Sequence, residues 1–202
     1  MFFIELGKKI KLFEKFIPAH TEYKEGSDRL LIRDGVSFEV DISDYVQWFL
    51  FIDAADISQA TAMQFIKPNT VVLDVGANIG HFSFKLAKMV ESADLKYVDI
   101  HTLEPNPLIF KRLQRNHALN LKISKRIFLH QLAIGRLDGT ADFYSEKRNS
   151  GASHFTFNES ANAQVKVMKL DNFCSSFIPD KAISFIKIDV EGYEPEIFEG
   201  GW

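Results

Sequence analysis

A chain of 202 residues that is 46% apolar and 13% aromatic has the material for one domain with a large core, and too much of it for a disordered polymer. Its formal charge of −3 lacks the basic excess that phosphate-backbone binding usually shows, so nucleic acid is not an expected partner. The single cysteine, Cys174, excludes an internal disulfide and every cysteine-cluster metal site, and no apolar run nears the roughly 20 residues needed to cross a bilayer, so a reducing, cytoplasmic setting is expected.

In chain order, Phe2, Leu6, Ile10, Phe13 and Ile17 recur at three- and four-residue steps. They predict an amphipathic helix that packs on the domain or on a partner and ends at Pro18. Residues 1–28 are read as this helix and its linker, and residues 29–202 as the domain. Two β-rich runs flank Asp34-Gly35, a dipeptide suited to the positive φ angles of a tight hairpin turn. Asp53 to Ile66 has helical spacing and stops before Pro68.

From residue 71 the pattern alternates. Val71–Val75 reads as a buried strand, Gly76–Gly80 as a glycine loop and His81–Val90 as a helix. Tyr97–Leu103 is a second strand, Pro107–Leu119 a second helix and Ile127–Ile134 a third strand. Short strands at Ala141–Tyr144 and Val165–Val167 bracket a polar insertion; Leu170–Phe177 is a short helix and Ile183–Val190 the last strand. Such alternation predicts an α/β fold with a parallel, doubly wound sheet, whose ligands bind beyond the carboxyl ends of the strands.

Candidate binding residues follow those ends. In Asp74-Val75-Gly76-Ala77-Asn78-Ile79-Gly80, glycine permits a tight strand-to-helix turn and lets a ligand lie against the backbone, while the helix start offers N–H groups. Glu104, thirty residues after Asp74 at the end of the second strand, is placed to accept hydrogen bonds from both hydroxyls of a ribose. NAD and S-adenosyl-L-methionine both carry such a ribose. The loop departs from the G-x-G-x-x-G of dinucleotide sites, and an acidic Asp74 suits an ammonium and a sulfonium better than a pyrophosphate, so charge favours S-adenosylmethionine. Asn78 can add amide hydrogen bonds to the same ligand.

These segments, with Asn149-Ser150-Gly151, Leu170-Asp171 and Lys187-Ile188-Asp189-Val190-Glu191-Gly192-Tyr193-Glu194, resemble the FkbM-type class I methyltransferases in order and over residues 30 to 202. The resemblance implies a Rossmann-like class I methyltransferase fold with strand order 3-2-1-4 in the part present. It also implies S-adenosyl-L-methionine as cofactor, held by Asp74, Gly76, Asn78, Gly80 and Glu104, and an acceptor hydroxyl on a sugar, lipid or other small metabolite. Asp189 and Glu191 alternate along the last strand and its extension, so they reach the carboxyl edge and are the candidate catalytic residues. Either could take the hydroxyl proton as the new bond forms. Lys187 on that strand needs a neutralising partner, with Asp189 or Asp171 as candidates. His154 reads as an exposed loop residue, His81 as a helix-start residue without chemistry, and no metal site is assigned.

Relatives of this type continue past Gly200-Gly201 into further strands, so the chain reads as a truncated product, a fragment or a domain completed by a partner or a second copy, either of which would cover the exposed edge of the fourth strand. An inactive, cofactor-binding interaction module and, more remotely, an NAD-linked oxidoreductase are the competing readings.

Overall fold

The computed structural model describes residues 17–54, 56–155 and 161–199. The helix expected over Phe2–Ile17 therefore falls almost wholly outside the described residues. Strands β1 (Asp28–Arg33) and β2 (Val36–Asp41) form an antiparallel hairpin about Asp34 and Gly35, both with positive φ. Helices α1 (Tyr45–Phe51) and α2 (Ser58–Met63) follow. The helix expected over Asp53–Ile66 is thus shortened to α2, and α1 precedes it as a helix the apolar spacing did not indicate: the Asp44 carboxylate caps its start at Tyr45, and Asp53 adopts a left-handed φ of 60° just past its end.

The central sheet contains β3 (Thr70–Val75), β4 (Asp99–Leu103), β5 (Ile127–His130) and β10 (Ala182–Ile188), all parallel, in the order β10-β3-β4-β5. This is the expected 3-2-1-4 arrangement. All six residues of β3 are buried because both faces of the sheet are covered. On one face Val72, Ile100 and Ile127 pack with Phe84 and Leu86 of α3 (His81–Ser92), Leu113 of α4 (Pro107–Leu119), Ile123 of the short α5 (Leu121–Ser124), and Phe38 of the hairpin. On the other, Val71, Leu73, Val75 and Leu103 pack against Phe173 of α6 (Leu170–Phe177) and Ile197 of α7 (Glu194–Glu199). The alternation along β3 therefore assigns odd positions to one helical layer and Val72 to the other.

The third strand is shorter than expected. β5 stops at His130, and β6 (Ala133–Ile134) leaves to join a second sheet with β9 (Ala163–Met168), β7 (Gly139–Tyr144) and β8 (His154–Phe155), ordered β6-β9-β7-β8. Its β7–β9 and β7–β8 pairs are antiparallel, and it brings the polar insertion back over the carboxyl ends of the central strands. No helix among the described residues is long and apolar enough to cross a membrane.

Candidate active site

The turn after β3 folds on itself. Gly76 has a φ of +78°, and a Cβ there would lie 2.0 Å from the backbone oxygen of Asp189 at the end of β10, so only glycine allows the two strand ends to meet. Gly80, at +88°, would drive a Cβ into Phe84 and Leu113. The N–H groups of Gly76 and Ala77 both donate to Leu103 O, that of Asn78 to Glu104 Oε2 at 2.8 Å, that of Ile79 to Asn78 Oδ1, and that of Gly80 to Ala77 O. Five successive loop amides therefore have partners within the chain. The turn is not the cradle of free donors that the glycines suggest.

Glu104 is the buried counterpart of that turn. Its Oε2 accepts from Asn78 N and its Oε1 from Asn106 N, both at 2.8 Å, while the residue is only 7% exposed. Burial, aided by the nearby Asp74 charge, raises its pKa to about 7 against the opposing pull of those two amides and of Lys187. Each carboxylate oxygen has lone-pair capacity beyond its one amide bond, and Glu104 lines a cleft across the tips of β3, β4 and β10.

Gly76, Asn78, Glu104, Asp189 and Glu191 meet in that cleft, whereas Asp74 and Gly80 do not line it. Asp74 is fully buried beneath the turn, with Oδ2 accepting from Ser83 Oγ at 2.7 Å and Oδ1 3.3 Å from Lys187 Nζ. Lys187 also lies 3.4 Å from Asp189 Oδ2. Burial pulls its pKa down, but the two carboxylates outweigh that and raise it, so the ammonium stays charged. Its partners are thus Asp74 and Asp189, and not Asp171. The Asn78 side chain is also largely spent within the protein: Oδ1 accepts from Ile79 N, and Nδ2 donates to Ser150 Oγ at 2.8 Å.

Asp189 is held by its own N–H to Val75 O, and its carboxylate is well exposed. Glu191 has a left-handed φ of 52°, and its pKa is raised by burial and by the charges of Asp189 and Glu194. His154 is exposed yet lines the same cleft, with Nδ1 2.9 Å from Ala152 O. Opposite the carboxylates stand Phe143, Phe155 and Tyr193, the last two with ring centroids 4.4 Å apart. A second, larger hollow adjoins the first and shares Val46, Gly76, Asn78 and Asp189 with it. There His81 lies 3.6 Å from Asp56, and burial, with the Lys85 charge, lowers its pKa to about 4.

The donor set decides what the main cleft suits. Three carboxylates line it and no lysine or arginine does, while the loop amides are already bonded. A pyrophosphate would meet three carboxylates and no cationic side chain; a ribose with a cationic sulfonium beside it meets acceptors and complementary charge. The residues of this cleft fit S-adenosylmethionine better than NAD.

Ser150, Phe143, Phe155 and the Leu132–Ile134 stretch also form the wall, and residue-by-residue reading assigned them no role. Asn149-Ser150-Gly151 was visible as a motif, but its return to the glycine turn depends on the second sheet. The description "Methyltransferase FkbM domain" matches residues 74–202. The chain is 25% identical to "Methyltransferase 1" of Beauveria bassiana (strain ARSEF 2860), over 65% of this chain and 58% of that protein, and 26% identical to "Methyltransferase sdnD" of Sordaria araneosa, over 65% and 60%. It thus spans about 60% of the length of these curated relatives. Among solved structures, it is similar to the methyltransferase FkbM from Methylobacillus flagellatus KT, at 18% identity, covering 77% of this chain and 38% of that one with a TM-score of 0.44. P. horikoshii TYW2 in complex with MeSAdo gives 21% identity, 55% and 38% coverage, and a TM-score of 0.41.

Proposed function

The chain belongs to the FkbM methyltransferase domain family, and on that premise we propose that it is an S-adenosylmethionine-dependent O-methyltransferase, working in the cytoplasm on a hydroxyl of a sugar, lipid or other small metabolite. The observation that carries this reading is Glu104, a buried carboxylate with spare acceptor capacity at the floor of a cleft walled by acids and aromatics. When bound, S-adenosylmethionine supplies a methyl carbon activated by its sulfonium. Glu104 accepts the ribose hydroxyls, and Gly76, lacking a side chain, leaves room along the turn. Lys187 neutralises Asp74 below the turn and restrains Asp189 at its rim. Glu191 takes the acceptor's hydroxyl proton; its raised pKa makes it a stronger base than an ordinary carboxylate. The rings of Phe155 and Tyr193 suit the apolar face of a hydroxylated acceptor, whose polar edge then meets Asp189 and Glu191.

Calorimetry with S-adenosylhomocysteine tests the cofactor assignment. Micromolar binding is expected, reduced at least about tenfold in Glu104→Ala by loss of two charge-assisted hydrogen bonds. Undetectable binding to the native chain, or tighter binding of NAD, would overturn it. Glu191→Gln is expected to keep that binding while slowing methyl transfer to a hydroxylated acceptor.

A further inference from the structure

We propose that Asp44 and Ser150 are positioning residues that set the orientation of the glycine turn through Asn78. The inference rests on the reading of that turn as the cofactor's seat. Asp44 is 2% exposed and lies outside the family match, at the start of α1. It accepts from Gln47 N at 3.0 Å, Ser150 N at 2.6 Å and Ser150 Oγ at 3.0 Å. Ser150 Oγ in turn accepts from Asn78 Nδ2, and Asn78 N donates to Glu104.

The direction of this relay follows from the chemistry of its end. An ionised carboxylate can only accept, so the Ser150 hydroxyl must point its proton at Asp44 and present lone pairs to Asn78. Asn78 must therefore offer its NH₂ there, which leaves Oδ1 for the N–H of Ile79, 2.8 Å away. That bond holds Asn78 at its left-handed φ of 52° and aims its backbone N–H at Glu104. One acid before the family match thus chooses which way an amide faces two hydrogen bonds away. Space enforces the arrangement. A Cβ on Gly151 would come within 2.8 Å of Val46 Cγ2 and 3.1 Å of Glu191 Oε1, so the insertion is wedged between α1 and the catalytic edge.

Two variants test this, Ser150→Ala and Asp44→Asn. Ser150→Ala removes one hydroxyl and leaves Asp44 both of its backbone donors, so the fold is kept; Asp44→Asn adds an N–H that competes for the Ser150 lone pairs. In the unliganded protein, amide hydrogen exchange over residues 76–82 is expected to quicken about tenfold in either variant, as for loss of one buried hydrogen bond, while exchange in β5 is unchanged. S-adenosylhomocysteine is expected to bind about tenfold more weakly by calorimetry. In an Asn78→Ala background, Ser150→Ala should alter either readout by less than about twofold, because the relay is already cut. Native exchange in both variants, or an equal effect in both backgrounds, would overturn the proposal. Failure of the native chain to bind S-adenosylhomocysteine would sink the cofactor assignment instead, and the exchange measurement would still judge the relay.

Discussion

On the proposed function, Glu104 would tie cofactor binding to a proton. A ribose hydroxyl would donate to the ionised carboxylate, yet burial holds the unliganded group near a pKa of about 7. Affinity should therefore rise with pH and level off above neutrality, with S-adenosylhomocysteine bound about tenfold more weakly at pH 6 than at pH 8. Calorimetry across that range checks it, and Glu104→Gln should give a flat profile. Asp74 supports a second expectation. Lys187→Met strands a fully buried carboxylate and should cost about 3–5 kcal/mol in urea unfolding, much of it regained in the Asp74→Asn, Lys187→Met double variant. That Glu104, Gly76, Asn78, Asp189 and Glu191 share one cleft was legible in the sequence because each lies past the end of a strand, where this class of sheet places its ligands. Asp74 lies within β3 rather than past it, and is buried there against Ser83 and Lys187.

At the level of elements, the hairpin is part of the central core. Phe38 is fully buried, with its ring 6.1 Å from that of Phe84 and 5.9 Å from that of His81 at the helix start. Phe38→Ala should destabilise the protein by about 3–5 kcal/mol, read as a lower urea midpoint with the central sheet still formed. The hairpin and the α4 helix could be read from the sequence because their signals are local: Asp34-Gly35 at a turn, and Asn106-Pro107 at a helix start. The second sheet could not. β6 pairs with β9, Ala133 with Val167 and Ile134 with Met168, and its two residues look like a continuation of β5, so the stretch Ile127–Ile134 conceals a change of sheet. α1 was missed for a different reason: its start is set by the Asp44 side chain accepting from Gln47 N, a cap that apolar spacing does not show.

Across the whole molecule, partly or fully buried imidazoles contribute to the response to acid. Burial lowers His81 to about 4, aided by Lys85, and His130 to about 4, aided by His101; it also lowers His101 itself. Below a pH of about 6.5 the unfolded chain takes up protons at His81 and His130 before the folded one does, so stability falls between there and about 4, and His101 adds to the loss in the same direction. Glu104 works the other way, since its raised pKa lets the folded state hold the extra proton between about 4.5 and 7. Glu191, raised as well, acts in the same sense as Glu104, so three imidazoles stand against two carboxyls. Thermal unfolding should shift downward from pH 7 to pH 4.5, and less steeply in His130→Gln. The family match begins at residue 74, but Val36, Phe38, Val40 and Ile42 of the preceding segment are buried in the core, and Asp44 reaches the turn. The bond from Asp44 to Ser150 joins residues 106 apart in the chain. During synthesis from the amino end, the nascent polypeptide must keep its hairpin and first helices waiting until the insertion has left the ribosome. The cleft is therefore among the last features to mature, and a pause in translation ahead of Ser150 would leave the glycine turn without its support.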